Sequence, residues 1–271
     1  MMCYPQTLGE NVKNISVFMS FFLLLALLGC SADNTVPRPE FSSKVIGFTN
    51  VPLDARKPIV RGGEAVLGNL VSDAILFDTL NKGELVDGVI SNGGNIRFDS
   101  NRHPDGIYPA GELTEDDAFE ILPFANTGII VDITGAELKS TFERGVNNVP
   151  VIGDDLGSGA FLQVSKNFVI VVDTSRPAQI VDQLSDTSSI ISEGERIQSI
   201  LIDGIEINPE ATYKILFSNF IANGGDSFVA LGNIPDPRKK DLGEDLAFAL
   251  KNYITSLGTV NPQIENRIII N

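Results

Sequence analysis

The sequence predicts a mixed α/β fold, that is, a single α+β domain in which a mixed β-sheet packs against helices. Helical and strand patterns alternate along most of the chain, and we find no repeat of about 20 to 50 residues that would indicate a solenoid or a propeller. This alternation is typical of neither a helical bundle nor a β-sandwich.

In the first half of the chain, the pattern predicts three helices and two strands. The apolar face of the first helix consists of Leu67, Leu70, Val71, Ala74 and Ile75. A strand is expected over residues 85–91, and a second helix begins near Thr114, whose hydroxyl can accept a bond from a free backbone N–H. A second strand, over residues 128–133, leads into the capping box Thr134–Glu137 of the third helix.

The second half is richer in strands. Residues 168–172 form a continuous apolar run, which predicts a strand buried on both faces. Asp203-Gly204 separates two short apolar runs and predicts a tight hairpin, because both turn positions need positive φ. A strand is expected over residues 213–217, an amphipathic helix from Leu246 to Leu257, and a sheet edge over residues 267–270.

The N-terminal region predicts export. Lys13 precedes an apolar run over residues 17–28, which is shorter than the roughly 20 residues needed to span a bilayer. Because this run ends in Leu27-Leu28-Gly29-Cys30, it resembles a bacterial lipobox. We therefore predict a signal peptide over residues 1–29, lipidation of Cys30, a tether over residues 30–43 and a folded domain over residues 44–271. The chain would be a membrane-anchored lipoprotein, periplasmic or at the cell surface; the alternative is an ordinary signal peptide with a chance cysteine.

Charge and cysteine content exclude several functions. The formal net charge is −15, which disfavours binding to nucleic acid. The only other cysteine, Cys3, would be removed with the signal peptide, so no thiol remains for a disulfide, a metal or a nucleophile. A small anion would have to be bound by a local group of cations.

Four segments combine features that core packing does not require. Three cations lie in residues 56–61, just before a helix, although such a segment is also common as a solvated basic turn. Residues 91–97 pass from a strand end through two glycines to Arg97, and paired glycines are also routine in turns. Residues 122–126 place Phe124 near Asn126, although a single phenylalanine is more often part of the core. Residues 218–226 place Phe220 before a glycine turn and Asp226, and the alternative there is a tight loop with a capping aspartate.

Taken together and in this order, these segments resemble the C-terminal domain of the 5′-nucleotidase family. The resemblance covers residues 44–271 and implies an α/β substrate-binding domain for nucleotides or nucleosides. It implies that Phe124 and Phe220 clamp the base, that Asn126 bonds the base edge and that Asp226 holds the ribose. The remaining substrate ligands implied are Arg61 and Arg97 for phosphate, and Gly159, whose backbone would lie near the sugar.

Two departures from the family pattern affect this site. Lys57 stands where a further arginine is expected, which removes a bidentate phosphate contact. Asn95 replaces a usual glycine or alanine, which would narrow the turn.

The catalytic half of the family enzyme is not recognisable in this sequence. That half holds two metal ions on several histidines, whereas His103 is the only histidine here and lies in a turn-rich loop where we expect it to be exposed. We therefore expect no catalytic residues, no metal and no cofactor in this chain, with divalent metals only in a partner.

Three functions remain open from the sequence. The first is a nucleotide-recognition subunit that works with a separate metallophosphoesterase chain in nucleotide catabolism. The second is a free-standing binder that captures nucleotides or nucleosides at the cell surface, and the third is a structural envelope lipoprotein without a catalytic role.

Overall fold

A computed structural model describes residues 44–150, 157–182 and 189–271. The predicted signal peptide, the lipid-attachment residue Cys30 and the tether over residues 30–43 lie outside the described residues. Within the described ranges, no helix has the length and apolar character needed to cross a membrane.

Helices and strands are interspersed in the described residues, except that strands alone lie between residues 162 and 218. The helices are α1 (Lys57–Val60), α2 (Val66–Asn81), α3 (Glu115–Ile121), α4 (Gly135–Gly145), α5 (Asn219–Ala222), α6 (Val229–Gly232) and α7 (Leu246–Leu257). The strands are β1 (Val45–Thr49), β2 (Leu53–Asp54), β3 (Gly88–Asn92), β4 (Ile107–Tyr108), β5 (Gly111–Thr114), β6 (Thr127–Thr134), β7 (Leu162–Val164), β8 (Phe168–Val172), β9 (Ile180–Asp182), β10 (Ser189–Ser192), β11 (Ile197–Ile202), β12 (Ile205–Glu206), β13 (Thr212–Ser218), β14 (Lys239–Asp245), β15 (Thr259–Val260) and β16 (Ile268–Ile270).

The centre of the domain is a five-stranded sheet in the order β14-β6-β13-β3-β7. Strands β13 and β3 run parallel, and every other neighbouring pair in this sheet is antiparallel. A second sheet has the order β12-β11-β8-β16, and β1 lies between β15 and β5 in a third. The predicted mixed sheet is therefore confirmed.

Both faces of the central sheet are covered, because successive side chains of its strands point to opposite sides. Val89, Ile130 and Leu216 join a hydrophobic cluster with α2, α3 and α7. Their neighbours Ile90 and Val131 join a second cluster with α4 and the β8–β11 sheet. The domain thus has a three-layer arrangement with the central sheet in the middle.

Local sequence signals determine where the main helices begin. Thr114 and Thr134 each accept a bond from the backbone N–H three residues later, and the acid there, Asp117 or Glu137, accepts from the threonine backbone N–H. Both helix starts predicted from the sequence are confirmed, as are the helices α2 and α7. The Asp203-Gly204 hairpin is confirmed as well, with φ of 51° and 78° at its two turn residues.

Two strand predictions need correction. The strand predicted over residues 85–91 begins only at Gly88, because Leu85 is 77% exposed and Asp87 caps the neighbouring strand by accepting from the Lys214 N–H at 2.7 Å. Strand β8 forms as predicted, but it is not fully buried on both faces, since Val169 and Val171 are only half-buried.

The last strand, predicted over residues 267–270, forms without its first residue. Ile268–Ile270 forms the expected edge strand, parallel to β8. Arg267, in contrast, is buried, and its guanidinium pairs with Asp73 at 2.7 Å and with Glu265 at 2.7 Å. This arginine joins the C-terminal segment to α2.

Candidate functional site

The candidate site lies at one end of the central sheet. The parallel strands β3 and β13 finish there at Asn92 and Ser218, and the antiparallel strands β6 and β7 begin there at Thr127 and Leu162. Loops that are far apart in sequence therefore meet at this end, which is where ligands commonly bind in α/β sheets.

These loops enclose a cleft of about 500 Å³. The residues that line it are Arg61, Asn92, Gly94, Asn95, Arg97, Phe124, Asn126, Gly159, Phe220 and Asp226. The structure thus brings together all seven ligand residues predicted from the sequence. Their roles toward a ligand stay predictions.

The two aromatic side chains of the cleft are unusually accessible. Phe124 is 52% exposed and Phe220 is 45% exposed, so neither belongs to the core. Phe124 precedes Ala125, which has a left-handed backbone with φ of 50°, a conformation that costs energy for a residue with a side chain. The fold therefore holds a large apolar ring at the surface on a strained turn.

The Phe220 ring depends on a neighbouring glycine. A Cβ atom at Gly225 would lie 2.6 Å from a ring carbon of Phe220, so any larger residue would displace the ring. The glycine pair between Phe220 and Asp226 is thus required for packing against the Phe220 ring as well as for the turn.

The carboxamide of Asn126 has a fixed partner. Its Nδ2 donates to Asn95 Oδ1 at 2.9 Å, and its backbone carbonyl accepts from the Leu246 N–H at 2.9 Å. Asn95 is buried, so the residue that departs from the family pattern orients the side chain expected to bond the base edge.

Both arginines of the cleft have unsatisfied charge. Arg61 donates from Nη1 to the Gly157 carbonyl at 3.3 Å, and its buried Nε has no hydrogen-bond partner in the described part of the chain. Arg97 donates from Nη1 to the Ile96 carbonyl at 3.1 Å. Neither forms an ion pair with another described residue. The pKa of both guanidinium groups is lowered, mainly because they are partly buried. The neighbouring charge of Arg61 lowers the pKa of Arg97 further, and the carboxylate of Asp226 offsets part of the shift in both groups.

The floor of the cleft is made of closely packed backbone. Gly94 N–H donates to the Gly159 carbonyl at 2.8 Å, and a Cβ at Gly94 would lie 2.8 Å from that same oxygen. Asn92 Nδ2 donates to Gly159 O at 3.2 Å and to Asp226 Oδ2 at 3.3 Å. These contacts tie the loops after β3, before β7 and after β13 into one surface.

Sequence reasoning located the right segments but not every residue in them. Asn92 and Gly94 belong to the glycine motif, yet only the fold shows that they line the cleft. Arg56 and Lys57, from the basic segment, do not line it, and Arg56 instead pairs with Asp54. Arg144, which contacts the site from α4, carried no signal in the sequence.

The prediction that His103 is exposed is wrong. Its side chain is only 14% exposed, because the ring packs on Tyr108 at 4.1 Å and its Nε2 lies 3.5 Å from Asp117. Potential ligand atoms of His103, Asp117 and Glu120 lie within 4.8 Å of one another, but Arg102 pairs with both carboxylates at 2.9 Å and 2.6 Å. This cluster is balanced by a cation of the chain itself.

The fold and the cleft define a mixed α/β domain whose candidate ligand site is built from loops at one end of a sheet. The family model described as "5′-nucleotidase, C-terminal domain" matches residues 45–233. The chain therefore belongs to the 5′-nucleotidase C-terminal domain family.

Curated relatives agree with this assignment. The chain is 28% identical over 237 residues to the trifunctional nucleotide phosphoesterase protein YfkN of Bacillus subtilis, covering 84% of this chain and 14% of the relative. It is 31% identical over 236 residues to the snake venom 5′-nucleotidase of Macrovipera lebetinus, covering 84% of this chain and 53% of the relative. The chain thus spans at most about half the length of these relatives.

A solved structure supports the same assignment. The 5′-nucleotidase precursor from Thermus thermophilus matches with a TM-score of 0.69 and 31% identity, over 84% of this chain and 39% of that protein. The NAD nucleotidase of Haemophilus influenzae matches with a TM-score of 0.64 at 16% identity, over 85% of this chain and 38% of that protein, which shows a shared fold.

Proposed function

We propose that this chain is the nucleotide-recognition component of a 5′-nucleotidase-type phosphoesterase system in nucleotide catabolism, and that it works with a separate metallophosphoesterase chain. The observation that carries the proposal is the cleft, where two exposed phenylalanines, a fixed carboxamide and an aspartate meet two arginines that have no ion pair among the described residues. The rings and the carboxamide suit a base, the aspartate suits the hydroxyls of a sugar, and the arginines suit a phosphate.

The electrostatics of the cleft favour an anionic ligand. The whole chain carries a formal charge of −15, yet the cleft lining combines two guanidinium groups with one carboxylate. Because both guanidinium groups are partly desolvated and lack an ion-pair partner among the described residues, a phosphate would gain charge-assisted hydrogen bonds there. A nucleoside has no phosphate and would not form these charge-assisted hydrogen bonds with the two guanidinium groups.

Hydrolysis is assigned to a partner because of the composition of the chain. Two-metal phosphate hydrolysis needs a cluster of ligands that holds both ions, and this chain has one histidine, which packs on Tyr108 beside Arg102 and Asp117. The chain also matches only part of relatives named as nucleotidases or phosphoesterases. The divalent metals would belong to the partner.

Phosphate release tests the proposed partnership. The purified chain is mixed at micromolar concentration with a metallophosphoesterase chain and Mn²⁺, and phosphate released from AMP is compared with that from the phosphoesterase alone. We expect faster release from the mixture, and no loss of the increase when the exposed Phe248, outside the cleft, is changed to alanine. Equal rates with and without this chain would refute the partnership.

Capture of nucleotides without a partner is the second candidate, and the cleft supports it because every lining residue comes from this chain. Calorimetry of the chain alone with AMP, combined with the phosphate-release assay, separates the two functions. Submillimolar binding together with no rate increase in the mixture supports capture at the cell surface. The export signal and the lipid at Cys30 belong to either proposal, and globomycin-sensitive incorporation of labelled palmitate tests them.

A further inference from the structure

Asp226 lies on a backbone that the chain does not adopt freely. Its φ is 52° and that of Ser227 is 61°, so two consecutive residues with side chains occupy the left-handed region. Such a conformation costs energy and persists only when surrounding contacts hold it. The direction of the Asp226 carboxylate therefore depends on what fixes this turn.

Arg144 is one of those contacts. It lies in the last turn of α4 and is only 9% exposed, and its Nε donates to the Asp226 carbonyl oxygen at 2.9 Å. Arg144 does not line the cleft, and in the described part of the chain it forms no ion pair. Burying a charged guanidinium costs free energy, and the hydrogen bond that Arg144 makes here goes to the loop that carries Asp226. This arrangement indicates that Arg144 serves to fix that loop.

The carboxylate of Asp226 has contacts of its own. Asn92 Nδ2 reaches Asp226 Oδ2 at 3.3 Å, and a Cβ on Gly159 would come within 3.1 Å of the same oxygen. Arg144 thus fixes the backbone of Asp226 while Asn92 limits its side chain. One carboxylate oxygen, Oδ1, accepts no hydrogen bond from the described residues and is available to a ligand in the cleft.

We propose that Arg144 is a positioning residue that, by holding the Asp226 carbonyl, directs the Asp226 carboxylate toward the two hydroxyls of a ribose. This inference rests on the proposed function, because it assumes a nucleotide in the cleft. Arg144 itself touches no ligand. Its effect is on the preference for a sugar that carries both hydroxyls.

Sugar preference distinguishes positioning from a general contribution to the fold. The test is calorimetry of the full chain with AMP and with 2′,3′-dideoxy-AMP, for the wild type and for Arg144→Gln. We expect the wild type to prefer AMP, and Arg144→Gln to reduce that preference by roughly tenfold through weaker AMP binding, as for loss of a hydrogen bond from a charged donor. Affinity for the dideoxy compound should stay the same.

If Arg144→Gln does not fold, Arg144→Lys replaces it in the test. Lysine keeps the positive charge but places no donor at the Nε position, so the same loss of AMP affinity is expected.

The chain offers a matched control in Arg238. Its Nε also donates to a backbone carbonyl, that of Asp132 at 2.7 Å, but Asp132, unlike Asp226, does not line the cleft. Arg238→Gln should keep the wild-type preference for AMP. In an Asp226→Ala background, Arg144→Gln should have no further effect on the preference.

The outcomes separate the inference from the proposed function. Equal weakening of both ligands by Arg144→Gln, an unchanged preference, or an effect that persists without Asp226 would overturn the role of Arg144 while nucleotide binding stands. A wild type that binds AMP no better than the dideoxy compound would also overturn it. A wild type that binds neither compound would overturn both proposals.

Discussion

The guanidinium carbon of Arg97 lies 5.0 Å from the centroid of the Phe124 ring. The cationic and aromatic parts of the cleft are thus in direct contact, and a cation over a ring face is attracted to it. The ring of Phe124 thus orients Arg97 in addition to its proposed contact with a base.

This contact predicts an unequal effect of Phe124→Ala. The substitution removes a stacking surface and also the support of Arg97, so AMP should lose more affinity than adenosine does. Calorimetry with both ligands measures the difference. Equal losses for AMP and adenosine would show that Phe124 acts on the base alone.

Phe220→Ala should weaken AMP and adenosine to the same extent. Phe220 makes no cation–π contact among the described residues, so only stacking is lost, with an expected cost of about 1 to 3 kcal/mol. Phe248 is the matched control, because it is 44% exposed against 45% for Phe220 and does not line the cleft. Phe248→Ala should leave both affinities unchanged, and an unchanged affinity in Phe220→Ala would remove this ring from the site.

Arg61→Gln should weaken AMP but not adenosine, because the unpaired Nε and the remaining donors of Arg61 are expected to bind phosphate. The loss of one phosphate contact is expected to cost about 1.5 to 3 kcal/mol. Arg56→Gln is the control, since Arg56 is exposed and paired with Asp54. A parallel loss for adenosine would show that Arg61 supports the fold of the cleft and not the phosphate.

Arg267→Met should destabilise the domain strongly. The side chain of Arg267 is 4% exposed, and its removal takes the guanidinium donors from the Asp73 carboxylate and the Val164 carbonyl, which leaves the Asp73 charge without its cation. The expected loss in free energy of unfolding is about 3 kcal/mol, measured by urea denaturation. Arg176→Met, at an exposed ion pair with Asp173, should leave the unfolding midpoint in place. Similar midpoints for the two variants would contradict a structural role for Arg267.

Protonation of Glu137 is expected to account for part of the loss of stability in acid. Burial raises its pKa, but hydrogen bonds from Arg238 and Thr134 outweigh this, so the folded pKa is lower than in the unfolded chain. The stabilisation is present above the unfolded pKa and is lost as pH falls through the folded pKa.

The Glu137→Gln variant should therefore lose stability near neutral pH and approach the wild type below the folded pKa of Glu137. Urea denaturation across this pH range measures the convergence. Glu210→Gln, at an exposed turn, should follow the wild-type curve throughout. A constant difference between Glu137→Gln and the wild type would contradict the assignment.

The sequence predicts elements well where the local signal and the tertiary environment agree. Helices α3 and α4 begin at the capping threonines, and the Asp203-Gly204 turn has the φ values that its residues favour. Strand β14 was not predicted, because Lys239–Asp245 is polar and its pairing with β6 is made by backbone atoms at a sheet edge. Such pairing leaves no hydrophobic pattern in the sequence.

The same distinction applies to the site. Phe124, Phe220 and the two arginines lie in motifs that together resemble a known family, so the resemblance identifies them although a single phenylalanine is common in a core. Arg144 lies on an ordinary amphipathic helix, and its contact with Asp226 joins residues 82 positions apart. His103 was predicted to be exposed because its loop is rich in turn residues, yet packing against Tyr108 buries it.

A crystal structure of the chain with AMP tests the central claim most directly. We predict the base against Phe124 and Phe220, the ribose hydroxyls on Asp226 and the phosphate on Arg61 and Arg97. A ligand bound instead in the larger groove of about 720 Å³ beside α4 and β11, or a cleft that stays empty at AMP concentrations that saturate binding in solution, would contradict it.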